Sequence, residues 1–141
     1  MEDIGQENTF NADHSGITYE LHSGRTDDLM GVRHVEALVQ FRNASTHSCT
    51  YFPMVSAAGM LQENFLLIMQ EASGTFGPRV EKSVLRPPNV YVVASRSGKM
   101  TKEILHQWAK FVYIDSIQES STSLLIVDSW CAFKDFAGMD Q

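Results

Sequence analysis

The sequence predicts an α/β or α+β domain built on one sheet. Three observations lead there: stretches of period-two alternation, one well-formed amphipathic helix pattern, and a last apolar run ending in an acid. The first alternation is Ile17, Tyr19 and Leu21 against Thr18 and Glu20, within a strand expected over Phe10 to Leu21 and broken near Ser15-Gly16 by a turn or bulge. A second strand is expected over His34 to Ala44, where Val35, Ala37, Val39 and Phe41 alternate with polar residues. Ser48 to Ala57 reads as its antiparallel partner, joined through 43–47, with Pro53 favouring a bulge or an edge.

Phe65-Leu66-Leu67-Ile68-Met69 is a continuous apolar run, and periodicity leaves strand and helix both open. The breakers Ser73 to Pro78 and Arg86 to Asn89 bound a mobile insertion. Val90 to Ala94 is rich in β-branched residues and reads as a strand. Thr101 to Tyr113 is the clearest helix. Thr101 suits the N-cap, Glu103 the first turn, and Ile104, Leu105, Trp108, Phe111 and Val112 form one apolar stripe. The final run, Leu124-Leu125-Ile126-Val127-Asp128-Ser129-Trp130, is expected to be a buried strand with Asp128 at its tip.

Length and composition set the outer limits. The 141 residues suffice for one domain with a real core, and 43% hydrophobic with 20% charged residues is a globular composition. A net charge of −6 argues against a surface that is basic throughout, although a bound cation can reverse the local sign. Cys49 and Cys131 make neither a disulfide scaffold nor a zinc cluster, which suggests a reducing compartment. The acidic start, Met1-Glu2-Asp3, carries no secretory signal, and no apolar stretch approaches the roughly twenty residues of a membrane span. A soluble intracellular protein is expected.

Function is carried by two acids. Ionised carboxylates at strand tips resist burial unless they are paired or bound to metal. Asp13, in Asn11-Ala12-Asp13-His14-Ser15-Gly16, and Asp128 would meet if their strands pair. Oxygen ligands without a His/Cys cluster favour Mg²⁺ or Mn²⁺, the ions of phosphoryl chemistry. Other readings stand beside this one. Asp13 before Ser15-Gly16 suits an Asx turn, and Asp128 before Ser129 suits a helix cap. His14 reads as a loop histidine, Trp108 as core, and Trp130 as core with base stacking as the alternative. Arg96, Lys99, Lys102 and Lys110 read as a solvated face rather than a phosphate site.

At these residues the chain resembles a known family, the DDE superfamily endonucleases that form the transposase core of Tigger/pogo-like elements. Asn11 to Gly16 resembles the family's NADxSG block, and Leu124 to Trp130 resembles its second-acid block. Met100-Thr101-Lys102-Glu103 with Trp108 is similar to the family's helix between them, and Phe76-Gly77-Pro78 and Leu21 to Thr26 resemble a subgroup. The likeness covers roughly Phe10 to Lys134, and it rests on all the blocks standing in the family's order.

The resemblance implies an RNase H-like α/β fold: three antiparallel strands, a helix, then a central strand beside the first. Residues 1–9 would be a polar leader and 10–141 a partial domain, incomplete at its C-terminus, with an insertion at 58–88. It implies that Asp13 and Asp128 are catalytic metal ligands for Mg²⁺ or Mn²⁺, with Asp13 bridging two ions, in DNA strand cleavage. It also implies a nuclear location and a DNA partner. Asp135 and Asp140 lie too close to Asp128 to stand for the family's third acid, and Phe133 stands where the family has His. Impaired cleavage is therefore expected, with a non-catalytic DNA- or protein-binding module as the alternative. A sheet edge left exposed would invite a partner chain or a second copy.

Overall fold

The computed structural model describes residues 4–18, 30–34, 48–117, 122–130 and 133. The expected strand at 34–44, apart from His34, and the loops at 23–28 and 43–47 lie outside them. The architecture is mixed α/β, with seven described strands in two sheets. These are β1 (Thr9–Ala12), β2 (Ser15–Thr18), β3 (Ser48–Phe52), β4 (Met54–Ser56), β5 (Phe65–Gln70), β6 (Val90–Ser95) and β7 (Leu124–Ile126). The three-stranded sheet runs β4-β1-β7 and the four-stranded sheet runs β2-β3-β5-β6.

The single expected sheet is split, and Pro53 supplies the reason. From Phe10 opposite Ser56 to Thr18 opposite Ser48, the β1–β4 and β2–β3 ladders keep one antiparallel register. That register sets Asp13 opposite Pro53, which has no N–H to donate, so the ladder is interrupted there. The break falls at Asp13-His14 rather than at the expected Ser15-Gly16, which pair normally in β2. The first strand begins at Thr9, which pairs with Leu124.

The ambiguous run Phe65-Gln70 is a strand, antiparallel to β3 on one side and parallel to β6 on the other. This part of 58–88 is thus built into the sheet rather than added to it. Its alternation buries Leu66 and Ile68 on the core side. The link to β6 carries a short helix, α1 (Pro78–Ser83), with Pro at its start. Arg86 secures the link from within. Its guanidinium donates to the Val92 carbonyl at 2.8 Å and to the Glu81 carboxylate at 2.9 and 3.1 Å, and lies over the Phe76 ring.

The main helix begins as expected. Thr101 is the N-cap and its hydroxyl accepts from the Ile104 N–H at 3.3 Å. Glu103 sits in the first turn, where its own backbone N–H and the Thr101 hydroxyl hold its carboxyl below the ordinary value. The α-helical part, α2, is Lys102–Trp108; a π-helical stretch, Ala109–Tyr113, and a final α turn, α3 (Ile114–Ser116), follow. The wider π turn shifts the phase of the apolar stripe. Ile104, Leu105, Trp108, Ala109 and Val112 are buried, whereas Phe111, expected on that stripe, is 44% exposed and stacks on Tyr91.

These residues meet Phe10, Ala12, Phe52, Met54, Leu66 and Ile68 in one core between helix and sheets. Each large apolar side chain fully buried there is worth about 1.5–3 kcal/mol. Tyr113, placed by the π turn, stacks on Trp108 and shares a 2.8 Å hydroxyl bond with Ser123, just before β7. That bond ties the helix to the strand that leads to Asp128.

The turn between β6 and α2 depends on Gly98. Its φ is +69°, and a Cβ would stand 3.0 Å from both the Ser48 carbonyl oxygen and the Gln70 Cβ. Thr50, buried, donates to the Gly98 carbonyl at 2.7 Å. Gly98→Ala combines left-handed strain with a clash against backbone, so it should cost about 2–4 kcal/mol. Urea unfolding of the two proteins measures this directly.

Candidate functional site

The strand that carries Asp128 was expected to be buried and central. Among the described residues it is an edge strand that pairs with β1 alone, and Leu124 and Ile126 are 46% and 50% exposed. Leu125 and Val127 instead pack against the core. Alternation along a strand with one covered face accounts for this pattern.

Pairing between β1 and β7 is parallel, with Thr9 opposite Leu124, Phe10 opposite Leu125 and Asn11 opposite Ile126. Asp13 lies one residue past the end of β1 and Asp128 two residues past the end of β7, at equivalent positions in that register. Neighbouring strands lie about 4.8 Å apart, and parallel neighbours in register send their side chains to the same side. Asn11 reinforces the pairing by donating its side-chain amide to the Ile126 carbonyl at 3.1 Å. Each acid thus follows the carboxyl end of one of two adjacent parallel strands, a common place for ligands in open α/β sheets.

Each acid also organises the turn that follows it. One Asp13 carboxylate oxygen accepts the His14 N–H at 2.7 Å, and one Asp128 oxygen accepts the Trp130 N–H at 3.0 Å. The Asp13 bond reaches the next residue rather than the second one on that an Asx turn requires, and the Asp128 bond is of the kind a helix cap makes, with the residues that follow Trp130 outside the described ones except Phe133. Neither bond uses the second carboxylate oxygen. Both acids are solvent-exposed, Asp13 to 71% of its side chain.

The two turns touch through their aromatic residues. His14 lies 6.5 Å from the Trp130 ring and 6.3 Å from the buried Phe52 ring, centroid to centroid. Trp130 in turn meets Phe133 edge-on at 5.8 Å. Sequence reading left His14 as an ordinary loop residue, because the Trp130 contact depends on a strand pairing across 115 positions of chain.

Two exposed carboxylates on neighbouring strands suit a hard cation that keeps part of its water shell. Among the described residues, no group of three or more His, Cys, Asp or Glu side chains is placed to hold a metal ion. A cation here would be held by Asp13 and Asp128 alone, with its remaining positions open to water or phosphate. The described cavities lie elsewhere, the two larger ones of about 400 Å³ flanking β6 near Gly74 and Thr75. Lys99, Lys102, Lys110 and Arg96 are exposed. Cys49 is half-buried, and burial pushes its thiol up from the ordinary value; Cys131 lies outside the described residues. Among the described residues, no helix is long and apolar enough to cross a membrane.

Comparison with models of known protein families, with curated proteins and with solved structures finds no match.

Proposed function

We propose that the chain is a transposase-derived domain of the DDE endonuclease type, with an RNase H-like core, that binds nucleic acid through a divalent cation held by Asp13 and Asp128. The single observation that supports this reading is the parallel β1–β7 pairing, since Asp13 and Asp128 directly follow those two strands. The order of elements supports it too. The antiparallel pairing of β1/β2 with β3/β4, the antiparallel β5, helix α2 and then β7 beside β1 are the parts of the order that the resemblance implies, whereas β6 and the division into two sheets are not.

The chemistry follows from charge. With a net −6, the chain repels a phosphate backbone, and two adjacent carboxylates repel it further at the site itself. Mg²⁺ or Mn²⁺ reverses that local sign and accepts phosphate oxygens in its open positions. Strand cleavage is the activity the resemblance implies. With two carboxylates and no third acid placed with them among the described residues, it is slow here, and binding is the main property. The partner is DNA, and the location that goes with it is the nucleus.

The test is binding of a labelled DNA oligonucleotide with Mg²⁺ or with EDTA, run beside a nicking assay in Mn²⁺. The reading expects cation-dependent binding, and weak nicking at most. Equal binding in Mg²⁺ and EDTA would overturn it.

One observation favours a second reading. Among the described residues β7 ends its sheet and carries the exposed Leu124 and Ile126, so a protein partner or a second copy pairing along that edge is the non-catalytic alternative. Sedimentation at increasing protein concentration separates it from the first.

A further inference from the structure

We infer that the outer face of the β4-β1-β7 sheet docks an amphipathic helix of a partner protein, with an apolar stripe laid on the sheet and lysines or arginines along its flanks. This surface is a face rather than the β7 edge, and it is independent of the proposed cation site. Residues paired across adjacent strands point to the same side of a sheet. The register therefore lines up Leu61, Val55, Asn11 and Ile126 in one row, through the Val55–Leu61 bridge and the β4-β1-β7 ladder, and sets Leu124 beside Thr9 in the next. Phe10, Ala12, Met54 and Leu125, on the other side of the same strands, face the core. Leu61 is 66% exposed, and Val55, Ile126 and Leu124 are exposed as well. The polar member of the row, Asn11, gives its amide to the Ile126 carbonyl.

A solvated sheet face ordinarily carries polar side chains, and parallel pairs such as β1 and β7 are ordinarily covered on both faces. Among the described residues α2 covers one face of this sheet and nothing covers the other. Four large apolar side chains gathered on that open face mark an interaction surface. Its size suits a helix. Three strands of three or four residues make a patch roughly 15 Å wide and 10–13 Å long. A helix with its side chains is about 10–12 Å across. Charge then selects the occupant. The described segments 4–13, 54–64 and 122–130 build this sheet and its margins; they hold Glu7, Asp13, Glu63 and Asp128, all exposed, and no lysine or arginine. A second copy would bring two such acidic margins together, and an anionic membrane would meet them with its own charge. A helix with basic flanks meets them with the opposite sign while its apolar stripe covers the row from Leu61 to Ile126.

The probes are three labelled helical peptides of equal length, measured by fluorescence anisotropy against the full chain in EDTA, so that the result does not depend on the cation site. One carries a leucine stripe with lysine flanks, one the same stripe with glutamate flanks, and one has serines in place of the leucines with the lysine flanks kept. The first should bind at least about tenfold tighter than either of the others. Ile126→Ser and Leu61→Ser should each weaken it roughly tenfold to a hundredfold, the span that burying one such side chain provides. Leu85→Ser, at an exposed leucine away from this sheet, should leave it unchanged. Circular dichroism shows which variants are folded, and Leu61, outside the named strands, decides the matter if Ile126→Ser does not fold. No binding of the first peptide, equal binding of the lysine- and glutamate-flanked peptides, or an affinity unchanged in Leu61→Ser would overturn the inference. So would a chain that sediments as a dimer, or binds anionic vesicles, in the parent but not in Leu61→Ser, since a second copy or a membrane would then hold the face.

Discussion

Asp13→Asn is expected to remove the cation-dependent part of nucleic-acid binding, leaving in Mg²⁺ the affinity that the parent has in EDTA. A cation held by only two carboxylates loses half of its protein charge when either is neutralised, so Asp128→Asn should behave in the same way. The fall should be on the order of tenfold to a hundredfold, since removal even of outer partners of bound metals costs that much. Any Mn²⁺-dependent nicking should vanish with it, because the metal supplies several kcal/mol of charge stabilisation to phosphoryl transfer.

Stability should hardly move. Each acid accepts a backbone N–H through one oxygen, that of His14 or Trp130, and the same Asp13 oxygen lies 3.7 Å from the His14 Nδ1. Asparagine keeps an oxygen for that bond, and Asp13 and Asp128 are otherwise exposed. Changes within about 0.5 kcal/mol are expected for substitutions of this kind. A variant that loses binding and also unfolds early would assign these acids to the turns alone.

Trp108→Ala has the largest expected effect on the fold. The indole is fully buried, 4.6 Å from Phe52 and 5.8 Å from Tyr113 by ring centroids, and it joins α2 to both sheets. Its removal leaves a cavity where helix and sheets meet. A cost of about 3–5 kcal/mol is expected. Against a total stability of about 5–15 kcal/mol, much of the margin would be gone. The Trp108 N–H is buried with no hydrogen-bond partner, and an unsatisfied donor of that kind carries a penalty of its own. Trp108→Phe discards that donor while keeping most of the apolar area, so it should cost far less than alanine. Denaturant midpoints of the three proteins check both statements.

Much of the fold could be read from residue order alone. Val90 to Ala94 is a strand and Thr101 caps a helix, because β-branched runs and capping chemistry are local properties. The apolar run at Phe65 stayed open, since Phe65, Leu67 and Met69 on its other face are apolar too and hide the alternation that buries Leu66 and Ile68. The exposure of Phe111 was hidden because a π turn changes the period within an otherwise regular stripe. The position of β7 was misjudged for a related reason. Leu124, Leu125, Ile126 and Val127 look buried as a run, but only Leu125 and Val127 face the core.

The candidate site was legible as two residue types and illegible as a geometry. Asp13 and Asp128 stand out as acids beside apolar runs, but the register that gives them equivalent positions is a property of the pairing. Pro53 was noticed as an interruption, and its location opposite Asp13 follows only once the hairpin register is known. The contact of His14 with Trp130 had no local signal at all.

The most direct measurement is backbone amide NMR of the chain at low, substoichiometric Mn²⁺, where paramagnetic broadening marks whatever lies near the bound ion. If the β1–β7 register builds one shared cation site, the amides of residues 12–16 and 127–130 broaden together in the parent, and both sets recover in Asp13→Asn. Broadening confined to one of the two segments, or spread evenly over acidic surface residues such as Glu63, Glu81 and Asp115, would contradict it.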